Sequence, residues 1–127
     1  MKRLVFFIPW PAPQSPNRFR SQSTRMRMSV TRVEREKAHM MARKATIEQR
    51  VSPFTGPATI FLRVYRRKLL DPMTNLPASL KATVDGICHA VLPLGDGPKT
   101  PYRWLAPEQV QIAEKTLEGV QVTIEEV

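Results

Sequence analysis

The first apolar run of the chain, Leu4–Ile8, contains β-branched and aromatic side chains and is stopped by Pro9, a pattern typical of a buried strand. A second strand is predicted over residues 58–65, where aliphatic and other side chains alternate. The residues of its core face are Ala58, Ile60, Leu62 and Val64. Because successive side chains of a strand point to opposite faces, one face of this strand is expected in the core.

A capping-box pattern, Thr31 followed by Glu34, begins a segment with helical periodicity that continues to about Arg50. The apolar residues that recur every seven positions are Val33, Met40 and Ile47. This period predicts an amphipathic helix from about Thr31 to Arg50, with basic residues on its other face.

A second helix is predicted from Leu76 to about Ala90. Pro72 excludes helix at the residue before it, and Asn75 is a suitable N-cap for the segment that follows. The apolar face of this helix consists of Leu76, Leu80, Val84 and Ile87.

Residues 109–115 and 120–126 show the alternation of strands, and the turn at 116–119 between them predicts a C-terminal β-hairpin. The chain has no internal repeat, and 127 residues suit one domain. The sequence therefore predicts a single α+β domain over residues 1–127, with a small mixed β-sheet, two main helices packed on it and the closing hairpin.

The net charge of +9 is unevenly distributed. Residues 1–50 carry twelve Lys or Arg against three Glu, whereas residues 51–127 carry eight charges of each sign. A concentrated basic region favours a polyanionic partner such as nucleic acid, and residues 18–30 have the polar, basic composition of a mobile arm. The basic residues expected to contact phosphates are Arg18, Arg20, Arg25, Arg27, Arg66, Arg67 and Lys68.

Cys88 is the only cysteine, which excludes an internal disulfide and is compatible with a reducing compartment. The apolar run at residues 4–8 is too short for a signal-peptide core, and no stretch approaches the length of a membrane span. We expect a soluble, cytoplasmic protein with no membrane partner.

The three aspartates of the chain are Asp71, Asp85 and Asp96. All of them fall within residues 65–99, near the basic run 66–68 and Lys81. Taken alone, Lys81 and Asp85 are typical of a solvated i, i+4 pair, and Asp96 between two glycines is typical of a turn. Carboxylates gathered in a basic chain have a shared explanation if they hold a divalent cation against a phosphate.

The chain lacks the GxGxxG, Walker, paired CxxC, HExxH and GxSxG motifs, so dinucleotide, P-loop, zinc and serine-nucleophile chemistry lack their markers. Residues 9–18 read Pro-Trp-Pro-x-Pro-x-Ser-Pro-Asn-Arg, and residues 75–86 read Asn-Leu-x-x-x-x-Lys-x-x-x-Asp-Gly between Asp71 and Asp96. In their order and spacing these segments resemble the RusA family of Holliday junction resolvases, and the resemblance covers nearly the whole chain.

The resemblance implies a homodimeric endonuclease that resolves four-way DNA junctions in recombination and repair, in a bacterial or phage-infected cell. It implies Mg²⁺ as cofactor, for which Mn²⁺ can substitute, and no small-molecule cofactor. The implied catalytic residues are Asp71, Asp96, Lys81 and Asp85, of which the three aspartates would bind the metal.

One position departs from the family pattern. The family has two aspartates separated by one residue just before Asn-Leu, whereas here Met73 or Thr74 stands where the second carboxylate belongs. A non-catalytic DNA-binding protein of the same fold is therefore an open alternative. An unrelated basic RNA-binding protein is another, although it gives no reason for the clustering of the aspartates.

Overall fold

A computed structural model describes residues 1–9 and 23–127. The elements in chain order are β1 (Arg3–Pro9), α1 (Thr24–Gln49), β2 (Ala58–Arg66), α2 (Asn75–Ser79), α3 (Lys81–Val91), β3 (Tyr102–Trp104), β4 (Glu108–Gln111), a 3-10 turn (Lys115–Leu117) and β5 (Gly119–Glu126). The predicted single α+β domain with a mixed sheet and two main helices is confirmed.

The five-stranded sheet has the order β1-β5-β2-β3, and β4 also pairs with β2. Strand β5 lies antiparallel to both β1 and β2, while β3 and β4 run parallel to β2 and lie end to end along its other edge. A parallel pair needs a crossover connection, and helices α2 and α3 supply it between β2 and β3.

The core is formed where the inward side chains of the strands meet the helices. Strand β2 buries alternate residues from Ala58 to Val64, as its alternation predicted. Helix α1 contributes three small residues, Ala38, Ala42 and Ala45, to the same buried cluster. Leu76, Leu80 and Ile87 are buried as predicted, and Val84 is partly buried.

Small residues let α1 and α3 approach closely. A Cβ atom placed on Gly86 of α3 would lie 2.3 Å from the backbone oxygen of Arg35 and 2.8 Å from Cβ of Ala38. Neither atom belongs to a flexible side-chain end, so any side chain at position 86 would force the helices apart. The backbones of the two helices are therefore in direct contact at this point.

Helix α1 begins at Thr24, seven residues before the predicted start. Ser23 is its N-cap, since its Oγ accepts a hydrogen bond from the Met26 amide at 3.2 Å. The prediction of a mobile arm over residues 18–30 is therefore wrong for residues 24–30, which are helical; residues 18–22 lie outside the described part of the chain. The capping box at Thr31 falls inside the helix.

The predicted second helix is divided in two. Helix α2 covers Asn75–Ser79 and α3 covers Lys81–Val91, with Leu80 between them. Thr74, not Asn75, is the N-cap residue of α2, and it makes no side-chain capping hydrogen bond. Lys81 thus stands at the first position of α3.

The predicted C-terminal hairpin is wrong. Residues 108–111 do form a strand, but it pairs with β2, and β5 is inserted between β1 and β2. The central position of β5 is consistent with its composition, because Val120, Val122 and Ile124 are buried in the hydrophobic core. Across residues 1–9 and 23–127, no helix has both the length and the apolar character that crossing a membrane requires.

Candidate active site

Lys81 is the centre of a group of charged side chains at the start of α3. Its Nζ lies 2.9 Å from Oδ2 of Asp96 and 3.2 Å from Oδ1 of Asp85. Lys81 and Asp85 meet because they are one turn apart on α3, whereas Asp96 belongs to the loop that follows the helix. The structure thus brings together three of the four side chains predicted as catalytic.

The loop after α3 explains how Asp96 reaches Lys81. Helix α3 ends at Val91, and the amide of Gly95 then donates to the backbone oxygen of Leu92 at 3.0 Å. Gly95 has φ of 86°, a left-handed conformation that glycine adopts without strain. This tight turn sends the chain back toward the start of α3 and presents Asp96 to Lys81.

The charges of the group stabilise one another. The hydrogen bond from Lys81 lowers the pKa of the Asp96 carboxyl, and the hydrogen bonds to Asp96 and then Asp85 raise the pKa of the Lys81 ammonium. All three side chains keep between 37% and 66% of their surface exposed, so water and salt screen these interactions. The group is therefore open to water and to ligands.

Cys88 lies on α3 three residues beyond Asp85 and is buried. Burial, followed by the negative charges of Asp96 and Asp85, raises the pKa of its thiol to about 12. The thiol is protonated at neutral pH, so Cys88 is not an activated nucleophile. Cys88 belongs to the hydrophobic core cluster.

Asp71 makes different contacts. Its Oδ1 accepts hydrogen bonds from the amides of Met73 at 2.8 Å and Thr74 at 3.2 Å, and its backbone oxygen accepts one from Leu76 at 2.9 Å. These are the contacts of an aspartate that stabilises a local turn. Met73 and Thr74, which stand where the family has a second carboxylate, contribute backbone N–H donors here.

The three aspartates do not form one ligand group. Among residues 1–9 and 23–127, no three side chains of His, Cys, Asp or Glu are close enough together to hold a metal ion. The pair Asp85 and Asp96 still suits Mg²⁺, because this ion is often bound by one or two carboxylates and completed by water and substrate phosphates. Metal binding by Asp71, Asp85 and Asp96 stays a prediction.

The basic run at the end of β2 is largely held by the protein itself. The nearly buried carboxylate of Glu118 accepts from the backbone amide of Arg67 at 3.2 Å and from its Nε at 3.3 Å. Arg66 donates from Nε to the backbone oxygen of Lys68 at 2.9 Å, and burial lowers the pKa of its guanidinium. Lys68 is exposed, whereas the side chains of Arg66 and Arg67 make the contacts given above, so Lys68 is the best placed of the three to contact a phosphate.

Two glutamines of β4, which sequence reasoning missed, hold the chain between this run and Asp71. The Gln109 amide pairs with both backbone groups of Leu70, accepting from its N–H at 2.8 Å and donating to its oxygen at 2.7 Å. Gln111 donates to the backbone oxygen of Arg67 at 3.1 Å. Their alternate spacing on a strand could have suggested a shared face, but not the loop they contact.

The structure describes two of the four arginines in the N-terminal half that were predicted to contact phosphates. Arg25 and Arg27 lie in the first turn of α1, and Arg25 is exposed. Arg18 and Arg20 lie outside the described residues. The basic side chains of α1 are distributed along the helix from Arg25 to Lys44.

A comparison with models of known protein families gave no match, and neither did a comparison with curated proteins. The contacts of Lys81 with Asp85 and Asp96 are thus the main structural basis for assigning a function.

Proposed function

We propose that this protein is a Mg²⁺-dependent endonuclease that cuts four-way DNA junctions, as its resemblance to the RusA family implies. The observation that carries the proposal is the contact of Lys81 with two carboxylates that are remote from each other in sequence. An ammonium and two carboxylates, partly exposed in a protein of charge +9, are suitable for placing a hard cation against a phosphodiester.

In this proposal Asp85 and Asp96 hold the metal, with Asp71 as a further ligand if its loop rearranges. A bound Mg²⁺ would lower the pKa of a coordinated water and stabilise charge on the phosphoryl oxygens. Lys81 would offset negative charge on the phosphate or on the leaving oxygen. The basic residues of α1 and Lys68 would bind DNA phosphates, contacts that give affinity with little sequence preference.

The proposal extends to a homodimer. A four-way junction has two-fold symmetry, and its resolution needs two symmetric cuts, which a dimer with closed two-fold symmetry is suited to make. Light scattering at micromolar concentration should give twice the mass of 14.5 kDa. A monomer that still resolves junctions would contradict this part of the proposal.

A non-catalytic DNA-binding protein of the same fold is the second candidate. The observation in its favour is that Asp71 is engaged by the amides of Met73 and Thr74 while no third carboxylate joins Asp85 and Asp96 within the described residues. Fewer carboxylates would weaken metal binding and could leave binding without cleavage.

The deciding experiment is incubation of the protein with a synthetic four-way junction, with and without Mg²⁺. Cleavage products on a denaturing gel are expected only with the metal and only from the junction, not from a linear duplex of the same arm sequence. The Asp96→Asn variant is the matched control, because it retains the side-chain shape and removes the charge. Binding without cleavage in either Mg²⁺ or Mn²⁺ would favour the second candidate, and restoring a carboxylate by Thr74→Asp would then be the direct test.

A further inference from the structure

Helix α1 carries a line of large apolar side chains on the side that faces water. Its members recur every seven residues and are Met26, Val33, Met40 and Ile47, here called the α1 stripe. Each of them keeps between 52% and 73% of its surface exposed. Seven residues are almost two full turns of a helix, so the four side chains share one face. The stripe extends over about 32 Å of the helix.

The seven-residue period predicted the core-facing side of α1, and that prediction is wrong. The residues of α1 that lie in the hydrophobic core are Ala38, Ala42 and Ala45. One exposed apolar residue, such as Met28 at 70%, is ordinary on a protein surface. A continuous line of four such residues is typical of a surface that binds a partner.

The spacing of the stripe is suited to another helix. Two packed helices present apolar side chains to each other at intervals of about 3.5 residues, so a residue repeated every seven positions stays in the contact along its whole length. A DNA backbone presents charged phosphates and would leave the stripe without apolar contacts. The stripe therefore favours a helical partner over a nucleic acid.

The charges beside the stripe indicate which kind of helix fits. The charged residues of α1 that lie three or four positions from a stripe residue are three cations and one acid: Lys37, Arg43, Lys44 and Glu36. Glu36 is itself paired with Arg32 at 4.0 Å. A second copy of this chain would place the same cations against these, whereas a helix with acidic flanks would be complementary to them.

We propose that the α1 stripe is the docking site of an amphipathic helix with acidic flanks, supplied by a partner protein. Apolar side chains of that helix cover the stripe, and its carboxylates lie beside Lys37, Arg43 and Lys44. Docking also takes these cations away from DNA phosphates, and this competition alone rests on the proposed function. The partner thereby restrains DNA binding.

The test uses a fluorescein-labelled synthetic peptide of four heptads, with leucine at the first and fourth positions of each heptad and glutamate at the flanking positions. Fluorescence anisotropy with the full chain should show saturable binding of this peptide, and none of a peptide in which the same residues are scrambled. Met40→Gln should weaken binding about tenfold, because the variant side chain no longer gains by leaving water for an apolar contact.

Met28→Gln is the matched control. Met28 is as exposed as Met40, at 70% against 68%, and it lies off the stripe. Glutamine has nearly the helix propensity of methionine, so both variants should have the thermal stability of the wild-type protein. Peptide binding by Met28→Gln should stay within about twofold of that by the wild-type protein.

Three results would overturn the inference. Equal losses in Met40→Gln and Met28→Gln, or equal binding of the scrambled peptide, would show that charge alone attracts the peptide. A homodimer that light scattering shows to dissociate in Met40→Gln but not in Met28→Gln would assign the stripe to a second copy. A junction affinity that falls in Met40→Gln but not in Met28→Gln would assign it to DNA.

The outcome is separable from the test of the proposed function. If the peptide binds through the stripe and the wild-type protein never cuts junctions, the docking site is supported and the endonuclease proposal fails. If the protein cuts junctions and does not bind the peptide, the docking inference is wrong and the proposed function stands. Saturating peptide should also displace a labelled junction, and a junction that stays bound would overturn the competition.

Discussion

The loops on either side of the α2–α3 pair each contain an aspartate, and the two use their carboxylates differently. Asp71, before α2, accepts from the amides of Met73 and Thr74 in its own turn. Asp96, after α3, reaches the ammonium of Lys81. The first carboxylate is committed to shaping the backbone, and the second is committed to a charged side chain. The residue type and the loop setting are the same, so the neighbouring donors decide what each aspartate does.

The largest expected difference is in cleavage. Asp96→Asn should reduce the rate of junction cutting by about 100-fold or more, because it removes a charge that would hold the metal. Asp85→Asn should have an effect of similar size, because Asp85 is the other proposed metal ligand, and Asp71→Asn should approach it only if Asp71 leaves its turn to join the metal. Single-turnover rates on a synthetic junction measure all three. An Asp71→Asn variant that cuts as fast as wild type would restrict Asp71 to its structural contacts.

Gln109→Ala should destabilise the backbone that leads to Asp71. Its amide satisfies both backbone groups of the partly buried Leu70, and leaving them unpaired should cost about 1–3 kcal/mol in the free energy of unfolding. Gln49→Ala is the matched control, because Gln49 makes the same two-bond contact with Val5 at an exposed site.

Urea denaturation gives the stability of both variants, and amide hydrogen exchange shows where the effect is felt. In Gln109→Ala the amides of Met73 and Thr74 should lose protection, since the aspartate that binds them follows Leu70 directly. Unchanged protection at these two amides would mean that the Asp71 turn is independent of Gln109.

Asp71→Ala should lower the free energy of unfolding by about 1 kcal/mol, the usual cost of removing a side chain that caps backbone amides. Asp71→Asn keeps an oxygen in the accepting position and should change stability by less than about 0.5 kcal/mol. Comparison of the two variants separates the hydrogen-bonding role of Asp71 from the effect of its charge. Equal losses of stability in the two variants would show that the charge matters more than the acceptor.

The smallest effect concerns pH. Because Lys81 lowers the folded-state pKa of Asp96, the ion pair contributes stability above the unfolded pKa, near 3.9, and loses it as pH falls through the folded value. The difference in stability between wild type and Asp96→Asn should therefore be constant from pH 5 to 8, begin to decline near pH 4 and disappear only below the folded-state pKa of Asp96. A difference that already declines between pH 7 and 5 would require another titrating group.

Local patterns predicted some elements and misassigned others for a physical reason. The alternation of β2 and the spacing of Leu76, Leu80 and Ile87 were sufficient to predict these elements. In each case the apolar residues lie on the one face that is buried. The start of α1 was missed because the apolar residues Met26, Met28 and Val30 alternate with polar ones, a spacing that gives no helical period. The alternation of β4 correctly predicted a strand but carried no information about its partner, which is β2.

The candidate site was likewise predictable only in part. The spacing of Lys81 and Asp85 predicts their contact, because residues four apart on a helix are neighbours. Asp96 could be placed near them only through the family resemblance, since its contact depends on the direction in which the turn at Gly95 sends the chain. The docking of Gln109 on Leu70 depends on how β4 lies along β2, which no local pattern contains.

The contact of Gly86 with the backbone of Arg35 fixes the spacing between the charged side chains of α1 and those of α3. Lys81 and Asp85 stand on α3, and basic side chains extend along α1, so the crossing point at Gly86 sets the distance between them. With no side chain between the backbones, neither helix can slide or roll along the other without driving one peptide group into the next. Substituting Gly86 would therefore change the distance between these two sets of charges before it changed any charged group itself.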